Sequence, residues 1–351
     1  MGNFVKKDLG FKGGFRKMRR WILFLAALII FQTLEMGLAA PLPAKSLTLY
    51  SGRAEELVGP IIDQFTKATN VEVRVRYGKT AGLAATILEE GRRSPADVFF
   101  AQDPAGLGAI AHFFGKIPGD ILNRVELRFR SPRDKWVGIS GRARTVVFNT
   151  ERLKDTDLPD DIWGFIDPKW KNRIGWAPTN GSFQAMVTAM RILWGAEKTL
   201  QWLKGVHANK AKIYPKNTPI VAAVGAGEID IGFVNHYYLL RFLKERGESF
   251  PARNYHLRDG GPGAMILVAG AGILETSQNK SAAQRFLSYL LSTDAQQYFA
   301  EKTFEYPVVD GIKTHKVLLP LSKIKSPKIM MADMADLKGT LKLLRKADIL
   351  P

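Results

Sequence analysis

Two tyrosines stand side by side in Asn235-His236-Tyr237-Tyr238, directly after a run, Ile229-Asp230-Ile231-Gly232-Phe233-Val234, that reads as a strand. A phenol titrates near about pH 10 and is neutral in water at pH 7. A hard trivalent cation such as Fe(III) displaces that proton, as zinc does from its bound water, and two phenolates would cancel two of its three charges. The other reading is an ordinary aromatic pair, one ring in the core and one at the surface. Two further strings bear on the choice. Pro178-Thr179-Asn180-Gly181-Ser182 joins a predicted strand to a helix, and Lys216-Asn217-Thr218 opens another helix. Free backbone N–H groups and the helix dipole at such starts favour an anion, although Asn-Gly-Ser also serves as a plain helix cap. The functional reading gains if these helix starts meet the tyrosines across one cleft.

Other chemistries find little support. Cysteine is absent, which excludes disulfides, zinc-thiolate sites, iron–sulfur clusters and a cysteine nucleophile. The five histidines, His112, His207, His236, His256 and His315, form no close metal pair. There is no G-x-S-x-G elbow, no Walker loop and no G-x-G-x-x-G after a strand. The adjacent carboxylates Glu55-Glu56 and Asp160-Asp161 read as solvated charges at helix starts. No enzyme is expected. The chain carries 51 Lys+Arg against 33 Asp+Glu, a net charge of +18. Residues 1–44, with seven basic and two acidic side chains, account for +5 of this and leave +13 on the rest. These charges are scattered rather than clustered, so no nucleic-acid partner is expected, and a small anionic ligand is the better match.

The elements that must position these residues alternate. Strands at 46–50, 71–77 and 97–101 are separated by helices at 55–68 and 81–90, the first with its apolar face at Leu57, Val58, Ile61, Ile62 and Phe65. That rhythm predicts βαβ units and a mostly parallel sheet, with ligands at the carboxyl ends of the strands. Those ends carry Arg53, Tyr77, Gln102 and Asp103. A second α/β section follows the strand at 144–150. It has a strand at 173–177, helices opening at Asn180, near 198–203 and at 219–226, and the strand ending at Asn235. A strand at 264–270 leads to helices at 282–291 and 293–301. The expected architecture is α/β and two-lobed: lobe 1 over 45–146, lobe 2 over 147–267, and 268–351 returning to lobe 1 and ending in C-terminal helices. Two crossover strands hinge the lobes around a cleft.

The first 44 residues read as an address. Met18-Arg19-Arg20 precedes an uncharged apolar run from Trp21 to Phe31, followed by the small residues Gly37, Ala39, Ala40 and Ala44. This is the pattern of a secretory signal peptide, with Met18 an alternative start. An uncleaved anchor is the competing reading, opposed by Gln32 and Glu35 within the stretch.

Several strings together resemble one family. They are Leu47-Thr48-Leu49-Tyr50-Ser51-Gly52-Arg53, Ser94-Pro95-Ala96-Asp97-Val98-Phe99-Phe100 and Ser140-Gly141-Arg142-Ala143-Arg144. Asp167-Pro168-Lys169-Trp170-Lys171-Asn172-Arg173-Ile174-Gly175, Ala177-Pro178-Thr179-Asn180-Gly181-Ser182-Phe183 and Tyr214-Pro215-Lys216-Asn217 continue the series. Gly227-Glu228-Ile229-Asp230, Asn235-His236-Tyr237-Tyr238 and Glu305-Tyr306-Pro307 complete it. In this order they resemble the periplasmic ferric-iron-binding proteins of ABC importers, within the type II periplasmic-binding-protein fold. The resemblance implies that Tyr237 and Tyr238 bind Fe(III) through phenolate oxygens. It implies that Asn180, Gly181, Ser182, Asn217 and Asn235 hold a synergistic anion, phosphate or (bi)carbonate. Arg142 matches a position associated with anion contact; the alternative is a solvated strand-end charge. The implied partner is an inner-membrane ABC permease with its cytoplasmic ATPase, the compartment is the periplasm, and a monomer is expected. Chelated iron (citrate) or another oxyanion or phosphorylated ligand is the alternative cargo. Three positions depart from the family pattern: Ala54 where many relatives have His, Gln102 where they have Glu, and Phe183 where others have Tyr. Tyr77 and Asp103 are candidates to complete the metal shell, and Arg53 is a second candidate anion clamp. The competing readings are a strand-end aromatic for Tyr77 and a surface charge at a helix entry for Arg53.

Overall fold

The strand signals at both ends of the chain converge on one long mixed sheet. The computed structural model describes residues 1–3 and 46–351, so the expected leader lies outside the described residues. Residues 46–351 form one compact unit. Its strands run in the order β2-β1-β3-β9-β4-β7-β5-β6, with β8 and β10 also paired to β4. The first half is built from β1 (Ser46–Ser51), α1 (Glu55–Thr69), β2 (Glu72–Tyr77), α2 (Thr80–Glu90), β3 (Val98–Ala101) and α3 (Pro104–Ala109). The second contains β5 (Ile174–Trp176), α4 (Gly181–Ala208), β6 (Lys212–Ile213), α5 (Asn217–Gly225), β7 (Ile231–Asn235), α6 (Tyr237–Arg246) and β8 (Ala252–Tyr255). β9 (Ile266–Ile273), α7 (Lys280–Leu290), α8 (Thr293–Lys302), β10 (Tyr306–Pro307) and α9 (Leu337–Lys346) complete the chain.

The outer strands are parallel, β1 to β2 and β3, and β5 to β6 and β7. The central strands are antiparallel to their neighbours. The element joining the halves is β4 (Val137–Asn149), buried along its whole length. Up to Ala143 it pairs with β9 and β10; from Arg144 onward it pairs with β7 and β8. The sequence predicts only its second part, because Gly138 and Gly141 dilute the β signal of the first. Gly138 is required there: a Cβ would sit 2.6 Å from the Phe129 carbonyl oxygen.

Apolar periodicity places the helices. α1 buries Leu57, Val58, Ile61, Ile62 and Phe65, the predicted face. Full burial of such a side chain stabilises by roughly 1.5–3 kcal/mol. The two helices expected at 180 and 198 are both present within α4, which breaks at Gly195, whose φ of 81° lies outside helical space. The core of the second half gathers Trp170, Trp176, Trp202 and Phe233, and Leu343 and Leu344 of α9 join it. The last helix thus packs on α4, tied by Thr188 Oγ1 to Thr340 Oγ1 at 2.7 Å and by Arg191 to Asp336. Among the described residues no helix is long and apolar enough to cross a membrane.

Candidate metal and anion site

β7 carries five buried residues to its carboxyl end at Asn235, and α6 begins at Tyr237. Burial of Leu239, Leu240 and Phe242 orients this helix and holds both tyrosines at its first turn. Their rings stack, with centroids 4.3 Å apart and planes at 28°. Tyr237 is buried and Tyr238 half-buried. Burial, and then the adjoining Tyr237, push the Tyr238 phenol well above the ordinary tyrosine range.

Three buried arginines share the field of this pair. Arg142 and Arg144, two residues apart on β4, lie on one face of the strand. Arg144 donates through Nη1 to Asn235 Oδ1 at 3.0 Å, with Asn217 Oδ1 at 3.5 Å. Arg142 donates to the Gln102 carbonyl. Arg53, at the end of β1, donates through Nη2 to both carboxylate oxygens of Glu305, at 2.7 and 2.8 Å. Ser140 and Thr303 hydroxyls also donate to Glu305, at 3.2 and 3.1 Å. Six guanidinium nitrogens, two on each arginine, and Asn217 Nδ2 are buried without a hydrogen-bond partner. Such donors are costly unless a ligand accepts from them.

The charges respond accordingly. Burial lowers Arg144 to about 9 despite the two phenols. Burial and then Arg53 lower Arg142. For Arg53, burial acts downward, but Glu305 and the phenols outweigh it and its pKa is raised. Among the described residues, Glu305 is the one fully buried carboxylate beside these arginines, with the half-buried Asp103 near Arg142. The positive field of the arginines favours an anion, while burial keeps the Tyr238 phenol protonated in the absence of a cation.

The helix starts converge on the same place. Asn180 caps α4 by accepting from the Ser182 N–H at 3.0 Å, and Asn235 Nδ2 donates to Ser182 Oγ at 3.0 Å. Asn217 opens α5, so Arg144 touches asparagines from two of the three segments. Asp103, from the other half, reaches the start of α4: its Oδ2 lies 3.2 Å from where a Cβ on Gly181 would stand. Burial raises its carboxyl pKa, partly offset by the Gly106 N–H and Arg142.

The sequence-selected residues therefore divide. Tyr237, Tyr238, Asn180, Gly181, Ser182, Asn217, Asn235, Arg142, Arg53 and Asp103 come together, and Gln102 joins them through its backbone carbonyl. Arg53 and Arg142 are 1% and 0% exposed, so neither is the solvated charge of the competing reading. Tyr77 is not brought to the cluster. It lies along α1, 3.8 Å from a Cβ on Gly59, where burial, Glu55 and Asp63 raise its pKa. Phe183 is a core residue edge-on to Trp176, and Ala54 is an exposed cap of α1. Among the described residues no group of three His, Asp or Glu side chains is placed to share a metal. Sequence reasoning missed Arg144, Glu305 and His236. The spacing Arg142-x-Arg144 inside an otherwise apolar strand was the available signal for the first; the others are revealed only by contacts.

Residues 111–334 match the family described as bacterial extracellular solute-binding protein. The major ferric iron-binding protein of Neisseria meningitidis serogroup A is 35% identical over 327 residues, 91% of this chain and 98% of that protein. The crystal structure of iron-bound HitA from Pseudomonas aeruginosa superposes with a TM-score of 0.82 at 33% identity, covering 86% of this chain and 99% of that one. A Trichodesmium protein, IdiA (FutA), in complex with iron and citrate ligands, gives a TM-score of 0.77 at 30% identity, with 86% and 99% covered. The two-lobed type II fold is common to these ferric-binding neighbours and this chain.

Proposed function

This chain belongs to the bacterial extracellular solute-binding proteins, and we propose that within that family it captures Fe(III) between its two halves. Tyr237 and Tyr238 supply two phenolate ligands. A synergistic anion, (bi)carbonate or phosphate, accepts from Arg142, Arg144, Asn217 and the start of α4. Arg53 extends the clamp from the first half, and Asp103 stands at the rim. The observation that carries this reading is the stacked phenol pair facing three buried arginines with unpaired donors. Arginine suits the anion because its planar fork binds oxyanions in bidentate fashion.

The closed form would then pass iron to an ABC permease of the inner membrane, powered by a cytoplasmic ATPase, with the protein acting in the periplasm as a stoichiometric binder rather than an enzyme. Lobe 1 at 45–146 with the return from 268 onward, apart from α9, which packs in the core of the second half, and lobe 2 at 147–267 would move about β4, which changes partners between Ala143 and Arg144. Iron together with its anion favours closure only because their combined contacts come from both lobes, the tyrosines from the second and Arg53 from the first. Ferric titration should develop a red-to-purple phenolate band at one iron per chain. A colourless titration without heat overturns the proposal.

A second cargo has an observation in its favour. Six unpaired guanidinium nitrogens are more than a carbonate with three oxygens readily satisfies. Iron carried with citrate, as in the Trichodesmium relative, would supply more acceptors. Thermal shifts with iron, citrate and phosphate, singly and combined, separate the two.

A further inference from the structure

His236 directly precedes the tyrosine pair and hydrogen-bonds to Phe304, the residue before Glu305 of the ion pair with Arg53. It is 1% exposed, and both ring nitrogens are engaged: Nδ1 accepts from the Ala143 N–H at 3.1 Å and Nε2 donates to the Phe304 carbonyl at 2.7 Å. Donor at one end and acceptor at the other select a single neutral tautomer. The backbone is held as well: the His236 N–H donates to the Ala143 carbonyl at 3.0 Å, and its carbonyl accepts from Asn254 Nδ2 at 2.8 Å. The ring lies 4.7 Å from that of Tyr306 and stands edge-on to Tyr237 at 5.8 Å.

The anchored carbonyl belongs to a residue in an uncommon conformation. Phe304 has φ 58°, in the left-handed region that a phenylalanine seldom occupies. Glu305, whose carboxylate takes Arg53 Nη2, follows it directly. A fixed carbonyl one residue earlier sets where that carboxylate points.

We infer that His236 is a positioning residue for ligand capture: by holding the Phe304 carbonyl it keeps Glu305, and through it Arg53, aimed at the tyrosine pair. It binds no ligand itself. The inference rests on the Fe(III) reading above and concerns how that site is assembled.

Two substitutions divide the ring's functions. His236→Gln retains an amide that can donate to the Phe304 carbonyl; His236→Asn retains an acceptor for Ala143 but is too short to reach Phe304. In ferric titrations the Gln variant should stay within about twofold of wild type with the same visible band. The Asn variant should bind about tenfold more weakly, the affinity equivalent of roughly one hydrogen bond. Equal losses in both, or none in the Asn variant, overturn the inference. Should the Asn variant fail to fold, the Gln variant decides: retained affinity supports the inference and a tenfold loss overturns it. An iron-free measurement separates this from the metal reading. The Arg53 guanidinium proton signals by NMR should persist in wild type and the Gln variant and exchange away in the Asn variant; persistence there overturns the positioning role. A wild type that takes up no Fe(III) overturns the metal reading alone, and the Arg53 signals still judge His236.

Discussion

Arg53 and Glu305, separated by 252 residues in sequence, form an ion pair in which neither side chain is exposed. The pair sits beside the tyrosines with two Arg53 nitrogens still free to donate. Removing one partner strands the other charge in the interior. Glu305→Ala should therefore destabilise the protein by about 3–5 kcal/mol, whereas the double change Arg53→Met, Glu305→Leu should recover most of that loss. Denaturant unfolding of wild type and the two variants checks this; equal destabilisation in the double variant would sink it.

Arg144 has no carboxylate hydrogen-bonded to it, and burial already lowers it to about 9. Its charge costs stability when no anion is bound. Arg144→Met should hold or raise the melting temperature of the iron-free protein while weakening ferric binding about tenfold or more, the pattern of a site held at the expense of stability. Calorimetric melting and ferric titration together test it.

Phenol ligation releases protons. Tyr238 sits well above the ordinary tyrosine range, so under the proposed ferric capture its proton would leave as the metal enters, and ligation by a second phenol would release one more. Affinity should rise with pH by up to about 100-fold per unit, the slope for two protons. Calorimetry in buffers of different ionisation enthalpy counts them once the iron donor's own protonation is subtracted. Tyr237→Phe and Tyr238→Phe should each remove one proton from the count and leave the fold intact.

Burial holds His236 down to about 3 and His256 down to about 4, from an ordinary 6.5. A depressed histidine means the unfolded chain binds more protons between the two values. Stability is then full above pH 6.5 and falls as pH drops toward 3–4, by about 1.4 kcal/mol per pH unit for each histidine. His236→Gln should flatten this acid slope by the share of one group in urea unfolding between pH 7 and 4.5. An unchanged slope refutes the assignment.

Asp103 stands beside Gly181, where a Cβ would lie only 3.2 Å from its carboxylate. Gly181→Ala should push Asp103 away from the start of α4 and shift the iron-free protein toward an open form. Small-angle scattering should report a larger radius of gyration than for wild type, with little change in melting temperature.

Much of this protein is written locally. The Tyr237-Tyr238 pair, the helix starts at Asn180 and Asn217 and the alternation of strands with helices are short-range patterns, and periodicity with cap chemistry reads them directly. The first part of β4 escaped because its glycines answer to packing against Phe129 and against the sequence-distant Tyr306, which no local pattern shows. The partner of Arg53, the turn of Tyr77 toward α1 and the double anchoring of His236 depend on contacts between segments up to 252 residues apart. Whether a charge lies in water or in the interior is likewise invisible in the residue itself. Sequence alone thus determined which groups are available to hold a metal and an anion; tertiary structure decided which of them are desolvated, paired and aimed at one another, because burial and geometry exist only once the chain has closed on itself.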